Sequence, residues 1–365
     1  MASGAAPRYL VSMPSRAWTI AALLTLAVPA RADEPAPPGE PVYDAEGSTF
    51  AYPWPVHFFE LESQRQRLRM AYLDVAPAGG AGDGRVVLLL HGKNFNASDW
   101  QTTIASLTRA GFRCIAPDQI GFGRSSKPAA YQFSFTQLAA NTRALLQSLG
   151  ISRTIVVGHS MGGMLAGSYA VAYPDATERL ILVNPIGLED YAALVPPRTV
   201  DDWYRGELKA TPESVREYQR SAYYAGAWKP EYEVHTRLLA GWTRSPDWPV
   251  VAWDAALTTD MIFTQPLVPK LPRIRVPTLL IIGTRDRTAL GRPFAAPEVQ
   301  RTMGNYEKLG KLTQERIPGS RLVEIPGVGH VPQVEAFPAF EKALLEFVGP
   351  ARQTAPSPPK GERPG

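Results

Sequence analysis

Short apolar runs alternate with amphipathic segments through most of the chain after residue 84. The apolar runs, rich in Val, Ile and Leu, occupy residues 86–90, 112–117, 154–158, 179–183, 277–286 and 322–325. Helical patterns lie between or after them, at residues 98–109, 134–149, 161–173 and 337–348. Continuous apolar runs are typical of strands covered on both faces. Such strands alternating with helices predict an α/β fold, with a mostly parallel sheet and helices on both faces.

Two further segments with strand character, residues 56–63 and 68–75, precede this alternation. The polar residues 64–67 join them, which predicts an antiparallel hairpin. Residues 33–51 begin with an acidic, Pro-rich stretch and are predicted to be a linker, so that the fold starts near Tyr52.

The alternation of strands and helices breaks between residues 189 and 270. This stretch has helical character, with a typical helix start at residues 211–214, and it is rich in Trp and Tyr. Its aromatic residues would form either a small core of their own or the inner face of a lid over an apolar pocket. We favour the lid, because open α/β sheets bind ligands at the carboxyl edge that this insertion interrupts. The predicted organisation is a core at 52–188 and 271–348, a helical cap at 189–270 and a disordered tail at 349–365.

The first 32 residues have the features of an export signal. Arg8 and Arg16 precede an apolar run at residues 17–28, and an A-x-A site follows at residues 30–32. This pattern predicts a secretory signal peptide cleaved after Ala32, and hence a periplasmic or secreted protein. An uncleaved membrane anchor is the alternative, but about a dozen apolar residues fall short of the roughly twenty that span a bilayer.

Charge and cysteine content exclude several other classes of protein. Cleavage would lower the formal net charge from +4 to +1, because the removed segment carries three arginines and no acidic residue. After cleavage the chain would be close to neutral, so its charge indicates no nucleic-acid partner. The glycine-rich residues 118–126 lack the spacing of a phosphate-binding loop. Cys114 is the single cysteine and is predicted to be a small buried residue, so the core must stabilise the chain without an intramolecular disulfide.

A candidate nucleophile lies where the strand at residues 154–158 passes directly into a helix. The turn has the pattern Gly158-His159-Ser160-Met161-Gly162. A Gly-x-Ser-x-Gly turn between a strand and a helix exposes the serine above the sheet, and its glycines avoid collisions that a Cβ would cause. The hydroxyl of Ser160 would also lie at a helix N-terminus, which favours developing negative charge.

A serine hydroxyl needs a base in contact with it and a carboxylate that orients the base. Asp286 and His330 each follow a predicted strand at the edge that carries Ser160. The chain order Ser, Asp, His is the one expected for this architecture. Glu189 and Asp190 follow the preceding strand and remain alternative carboxylates. For His330 itself, the alternative is a solvated loop histidine.

Neighbouring residues complete the candidate site. Backbone N–H groups of Met161, directly after the serine, and of Lys93, in the loop after residues 86–90, are the predicted donors to a tetrahedral oxyanion. The remaining histidines are less well placed: His91 and His159 flank glycines in tight turns, His57 lies in the hairpin and His235 in the lid.

Together these motifs resemble the α/β-hydrolase family between about Tyr52 and Val348. The matching motifs are His91-Gly92, Asp118-x-x-Gly121-x-Gly123-x-Ser125, Gly158-His159-Ser160-Met161-Gly162-Gly163, Gly283-x-x-Asp286 and Gly329-His330. The resemblance implies an eight-stranded sheet, a cap after the sixth strand, oxyanion donors at Lys93 and Met161, and no cofactor or metal. The family's epoxide hydrolases and haloalkane dehalogenases have an aspartate at the elbow, so Ser160 disfavours both. Residues 287–319 exceed the family's usual spacing between acid and histidine, which leaves the pairing of Asp286 with His330 open.

These observations predict an exported serine hydrolase that cleaves an ester or related acyl compound with an apolar group, most simply a carboxylic ester hydrolase (EC 3.1.1). Hydrolysis of a carbon–carbon bond or of a lactone by the same three residues is the alternative within enzymes. A non-catalytic binding protein on a hydrolase scaffold is the alternative outside them. The sequence leaves the substrate, the pocket residues and the oligomeric state open.

Overall fold

A computed structural model of the protein describes residues 41–80, 82 and 84–349. The described part contains an eight-stranded sheet in the order β1-β2-β4-β3-β5-β6-β7-β8. The strands are β1 Val56–Ser63, β2 Gln66–Val75, β3 Val86–Leu90, β4 Arg113–Pro117, β5 Thr154–His159, β6 Thr177–Val183, β7 Thr278–Gly283 and β8 Arg321–Ile325. β2 runs antiparallel to β1 and to β4, and the other neighbours are parallel. The predicted hairpin and mostly parallel sheet are confirmed.

Helices cover both faces of this sheet. They are α1 Gln101–Arg109, α2 Phe135–Ser148, α3 Met161–Ala172, α4 Tyr191–Leu194, α5 Val200–Glu207, α6 Pro212–Ala222, α7 Arg237–Trp242, α8 Trp248–Thr264, α9 Pro297–Thr302, α10 Tyr306–Arg316, α11 Pro332–Glu335 and α12 Phe337–Val348. Successive strand residues enter opposite cores: Ile155 and Val157 pack with α1 and α12, whereas Val156 packs with α2 and α3. Burial on both faces explains why β5 has no polar alternation.

The prediction that residues 33–51 form a linker outside the fold is wrong for the second half of this segment. Tyr43 and Phe50 are buried against Trp242 and Trp248 of the segment between β6 and β7, and the Trp242 indole N–H donates to the Asp44 carbonyl at 2.7 Å. Two aromatic side chains give this otherwise acidic segment enough apolar surface to pack, so the packed region begins before Tyr52. The start of that linker, the predicted signal peptide and residues 350–365 of the predicted tail lie outside the described residues.

The segment between β6 and β7 is helical, from α4 to α8. α6 begins as its sequence predicts: the Thr211 hydroxyl accepts from the Ser214 N–H at 3.2 Å, and the Ser214 hydroxyl accepts from the Thr211 N–H at 2.8 Å. Across the described residues, no helix combines the length and apolar character required to cross a membrane.

Residues 287–319, the long segment between Asp286 and His330, are partly helical. They contain α9 and α10, and α10 packs on β7 and β8 with Tyr306, Gly310 and Thr313 buried. The extra length between Asp286 and His330 is therefore a helical layer on the sheet.

One buried carboxyl in α8 makes stability depend on pH. Asp254 is 1% exposed, and neither of its oxygens has a hydrogen-bond partner within the described part of the chain. Burial raises the pKa of Asp254 from about 3.8 to about 8. Between these values the unfolded chain loses a proton that the folded chain keeps, so this residue lowers the free energy of unfolding as pH rises. Desolvation also lowers the pKa of the nearby Lys127, to about 8.

We therefore expect Asp254→Asn to gain stability relative to the wild type as pH rises from 4.5 to 7, by up to about 1.4 kcal/mol per pH unit. Urea unfolding at several pH values measures this difference. Asp175→Asn, at an exposed aspartate, is the matched control and should show no such trend. A difference for Asp254→Asn that stays constant with pH would contradict the assignment.

Candidate active site

Ser160 alone connects β5 to α3, in the strained turn that its sequence predicts. Its φ of 57° and ψ of −120° lie in a region that non-glycine residues rarely adopt. The flanking glycines are sterically required: a Cβ on Gly158 would lie 2.1 Å from the Gly162 carbonyl oxygen, and a Cβ on Gly162 would lie 2.1 Å from the Leu90 carbonyl oxygen. The strand, the helix and the neighbouring strand thus meet so closely that they fix the position of the serine.

The three side chains singled out as serine, base and acid form one hydrogen-bonded chain. His330 Nε2 lies 2.9 Å from Ser160 Oγ, and His330 Nδ1 lies 2.7 Å from Asp286 Oδ2. All three residues are buried. Since a carboxylate only accepts, Nδ1–H donates to Asp286, and Nε2 is left to accept the Ser160 proton. This tautomer is the one that general-base catalysis requires.

Asp286 is held by residues that the sequence analysis missed. Its Oδ2 also accepts from Asn184 Nδ2 at 2.8 Å, and its Oδ1 accepts from the Thr288 N–H at 2.8 Å. Asn184 follows β6 directly and accepts from the Gly283 N–H at 2.9 Å. The signal for Asn184 was its place as the first polar residue after a buried strand at the same sheet edge.

The alternative carboxylates after β6 do not reach the imidazole. Glu189 accepts from the Gly304 N–H at 2.9 Å, and burial raises the pKa of its carboxyl. Asp190 precedes α4. Within the described residues, the carboxylate that contacts His330 is that of Asp286.

Two other histidines support the loops around the site. His91 Nε2 accepts from the Gln119 N–H at 3.1 Å, and His91 Nδ1 lies 2.8 Å from the Gly92 carbonyl oxygen. His159 Nε2 lies 2.8 Å from the His330 carbonyl oxygen. Burial lowers the pKa of both imidazoles, so they stay neutral. These contacts are structural, as the position of both residues beside glycines predicts.

A cap residue lies directly on the candidate base. The Tyr223 ring stacks on the His330 imidazole with centroids 4.7 Å apart, and the Tyr223 carbonyl accepts from the His330 N–H at 3.4 Å. The Tyr223 hydroxyl accepts from Asn94 Nδ2 at 2.9 Å. Tyr223 thus joins the base to the loop after β3. Sequence reasoning could not find it, because cap residues carry no local motif that places them.

The predicted oxyanion donors lie beside the serine. Met161 is the first residue of α3, and Lys93 follows Gly92, where a Cβ would lie 3.0 Å from Ser160 Cβ. No acceptor in the described part of the chain takes a hydrogen bond from the backbone N–H of Lys93 or Met161. Their function as donors stays a prediction. Across the described residues, no cluster of three or more His, Cys, Asp or Glu side chains is suited to a metal ion.

Comparison with known proteins identifies the family. A family profile described as "alpha/beta hydrolase fold" matches residues 85–337, a range that includes Ser160, Asp286 and His330. The chain belongs to the α/β-hydrolase family. The resemblance inferred from the motifs is confirmed, and so is the fold class.

Similar proteins of this family carry different names. A crystal structure of a probable hydrolytic enzyme from Pseudomonas aeruginosa PAO1 is 54% identical, with a TM-score of 0.83 over 85% of this chain and 99% of that one. A putative non-heme chloroperoxidase of Synechocystis sp. is 29% identical over 73% of this chain and 92% of its own length. A 2-hydroxy-6-oxo-6-phenylhexa-2,4-dienoate hydrolase of Burkholderia cepacia is 26% identical over 73% of this chain and 89% of its own length. The family therefore establishes a hydrolase but not its substrate.

A cavity of about 270 Å³ lies between the loop after β3 and the cap of this hydrolase. Lys93 and Asn94 line it from the core side, and Trp203, Tyr218 and Trp248 are among the cap residues that line it. Other cap aromatics pack among themselves, such as Tyr224 and Tyr232 with ring centroids 3.8 Å apart. Some aromatic residues of the insertion thus line a cavity and others pack against one another, and the function of the insertion as a lid stays a prediction. Ser160 does not line the cavity. It lies beside Gly92, and the next two residues in the chain, Lys93 and Asn94, line the cavity.

Proposed function

We propose that this α/β hydrolase is an exported serine hydrolase that cleaves an ester, or a related acyl compound, with an apolar group. The observation that carries the proposal is the buried hydrogen-bonded chain from Ser160 Oγ through His330 to Asp286. Side chains separated by 170 and 44 positions meet in the geometry that activates a serine hydroxyl. The N-terminal signal pattern supports export.

The reaction proceeds in two acyl transfers. Ser160 Oγ attacks the substrate carbonyl carbon while His330 Nε2 takes the hydroxyl proton, and Asp286 stabilises the resulting imidazolium. The N–H groups of Lys93 and Met161 stabilise the oxyanion; one such donor is worth about 10²- to 10³-fold in kcat. The tetrahedral intermediate then breaks its bond to the leaving oxygen, which takes the proton from His330. The acyl group remains on Ser160.

Water completes the cycle. His330 removes a proton from a water molecule, whose oxygen attacks the acyl carbon, and a second oxyanion forms in the same place. When this intermediate collapses, the bond to Ser160 Oγ breaks, His330 returns its proton to Oγ, and the carboxylic acid leaves. The mainly apolar and aromatic lining of the cavity supports an acyl or alcohol group with apolar character.

Hydrolysis of a carbon–carbon bond or of a lactone is the second candidate. The 26% identity to the Burkholderia cepacia hydrolase favours it, and the same three residues can act in either reaction. A binding protein without activity is disfavoured, because a binding function alone would not need a complete and buried serine, histidine and aspartate chain.

A substrate panel tests the proposal. Protein expressed with its own N-terminal segment should be recovered outside the cytoplasm, and its mass should match a chain that begins at Asp33. This form should hydrolyse p-nitrophenyl butyrate with a kcat/KM at least about tenfold above those for δ-valerolactone and a vinylogous 1,5-diketone. The reverse order would replace the ester assignment by the second candidate. Absence of turnover for all three, in a folded protein, would contradict both.

A further inference from the structure

A charged pair lies in the wall of the otherwise uncharged cavity. Lys93 Nζ and Glu207 Oε1 are 2.9 Å apart, and the two side chains are only 16% and 26% exposed. Lys93 belongs to the loop after β3, and Glu207 is the last residue of α5 in the cap. Among the lining residues in the described part of the chain, these two are the charged ones. The pair therefore crosses from the core to the cap at the place where substrate is expected.

A pair in this position is not needed for stability alone. Removing two charges from water costs about as much as their attraction returns, and a well-packed apolar pair often serves equally well. A cap that only had to close could use side chains like Val215 or Leu239, which line the same cavity. Their place in the cavity wall puts the two charges where they can contact what enters it.

The ammonium group lies within reach of a short acyl chain. The backbone N–H of Lys93 is the proposed oxyanion donor, so the substrate carbonyl lies beside the main chain of this residue. Its ammonium sits at the end of a four-carbon side chain, about 6 Å from its Cα. The far end of an acyl group of about five carbons would therefore come close to Lys93 Nζ and to Glu207.

We infer that Glu207 acts as a charge filter in the proposed hydrolase, which excludes acyl groups that end in a carboxylate and keeps the cavity for uncharged ones. This inference rests on the proposed function. With Glu207 in place, the Lys93 ammonium is already neutralised, and an incoming carboxylate would lie beside a like charge in a partly desolvated space. Without Glu207, the same carboxylate would meet an unpaired ammonium and form a charge-assisted hydrogen bond. The specificity thus depends on a repulsive element.

The test compares two acyl groups of equal length, in p-nitrophenyl valerate and in mono-p-nitrophenyl glutarate. The quantity measured is the ratio of kcat/KM for the anionic ester to that for the neutral ester. Glu207→Gln should raise this ratio at least about tenfold, and Lys93→Met, which keeps its backbone N–H, should lower it below the wild-type value. The increase in Glu207→Gln should shrink as salt concentration rises. Glu217→Gln, at an exposed ion pair on α6, is the matched control and should leave the ratio within about twofold.

Binding gives a readout that does not need turnover. Valerate and glutarate should quench the fluorescence of Trp203 and Trp248 in the cavity wall, and the ratio of their dissociation constants should shift toward glutarate in Glu207→Gln. If that variant loses both esters equally and binds both acids with the wild-type ratio, the pair only tethers the cap and the inference is wrong. A wild type that binds valerate but hydrolyses neither ester would contradict the proposed function. The ratio of the two dissociation constants in the wild type and in Glu207→Gln would still show whether Glu207 excludes carboxylates.

Discussion

Ser160→Ala is expected to lower kcat/KM for ester hydrolysis by about 10⁴- to 10⁶-fold. The variant keeps His330, Asp286 and the two N–H donors, but it has no oxygen that can form the acyl intermediate. The variant can still stabilise direct attack by water through the proposed oxyanion donors, but this gives only a small part of the full rate enhancement. Initial rates on p-nitrophenyl butyrate, at enzyme concentrations high enough to detect a 10⁶-fold loss, measure it.

This loss has to be separated from unfolding. Alanine occupies the strained turn as serine does, and the change removes one hydroxyl, so the free energy of unfolding should change by no more than about 1 kcal/mol. Ser168→Ala is the matched control: it removes a buried hydroxyl from the same helix, α3, where the Ser168 hydroxyl accepts from Lys270 Nζ at 2.9 Å. It should keep wild-type turnover. Turnover by Ser160→Ala within tenfold of the wild type would contradict the nucleophile.

Asp286→Asn is expected to lower kcat by about 10⁴-fold with the fold intact. An asparagine amide can donate to the imidazole, which would place the proton on His330 Nε2 and leave no base facing Ser160. The imidazolium formed during acyl transfer would also lose the carboxylate that stabilises it. Steady-state kinetics between pH 6 and 9 measure the loss.

Glu189→Gln distinguishes the two candidate carboxylates. Glu189 contacts the Gly304 N–H rather than His330, so this variant should keep kcat within about threefold of the wild type. A collapse of kcat in Glu189→Gln together with near-normal turnover in Asp286→Asn would show that the acid had been assigned to the wrong strand.

Local sequence was sufficient to predict the sheet and the contact of Ser160, His330 and Asp286. β5 and its neighbours are buried on both faces, so their apolar runs are visible without any knowledge of partners. The glycines that its turn requires predict the position of Ser160, and Asp286 and His330 each follow the end of a strand. The edge of a parallel sheet brings such positions together whatever lies between them. The helical layer at residues 287–319 therefore leaves the contact of Asp286 with His330 intact.

Features set by long-range packing could not be predicted in this way. Tyr43 and Phe50 lie in an acidic segment, and their burial depends on Trp242, which is about 200 positions away. α10 buries few side chains, so its apolar periodicity is weak. Tyr223 and Glu207 lie in the cap and contact His330 and Lys93 of the core. No local pattern in the cap sequence predicts these two contacts.

The proposed reaction requires that His330 and Asp286 activate Ser160 as the nucleophile. Reaction with a fluorophosphonate followed by peptide mass spectrometry tests it most directly, because the reagent bonds to an activated serine oxygen. We expect one adduct per chain, on the peptide that contains Ser160, no adduct in Ser160→Ala and much slower labelling in Asp286→Asn. An adduct on a different residue, or an enzyme that hydrolyses esters while Ser160 stays unlabelled, would contradict it.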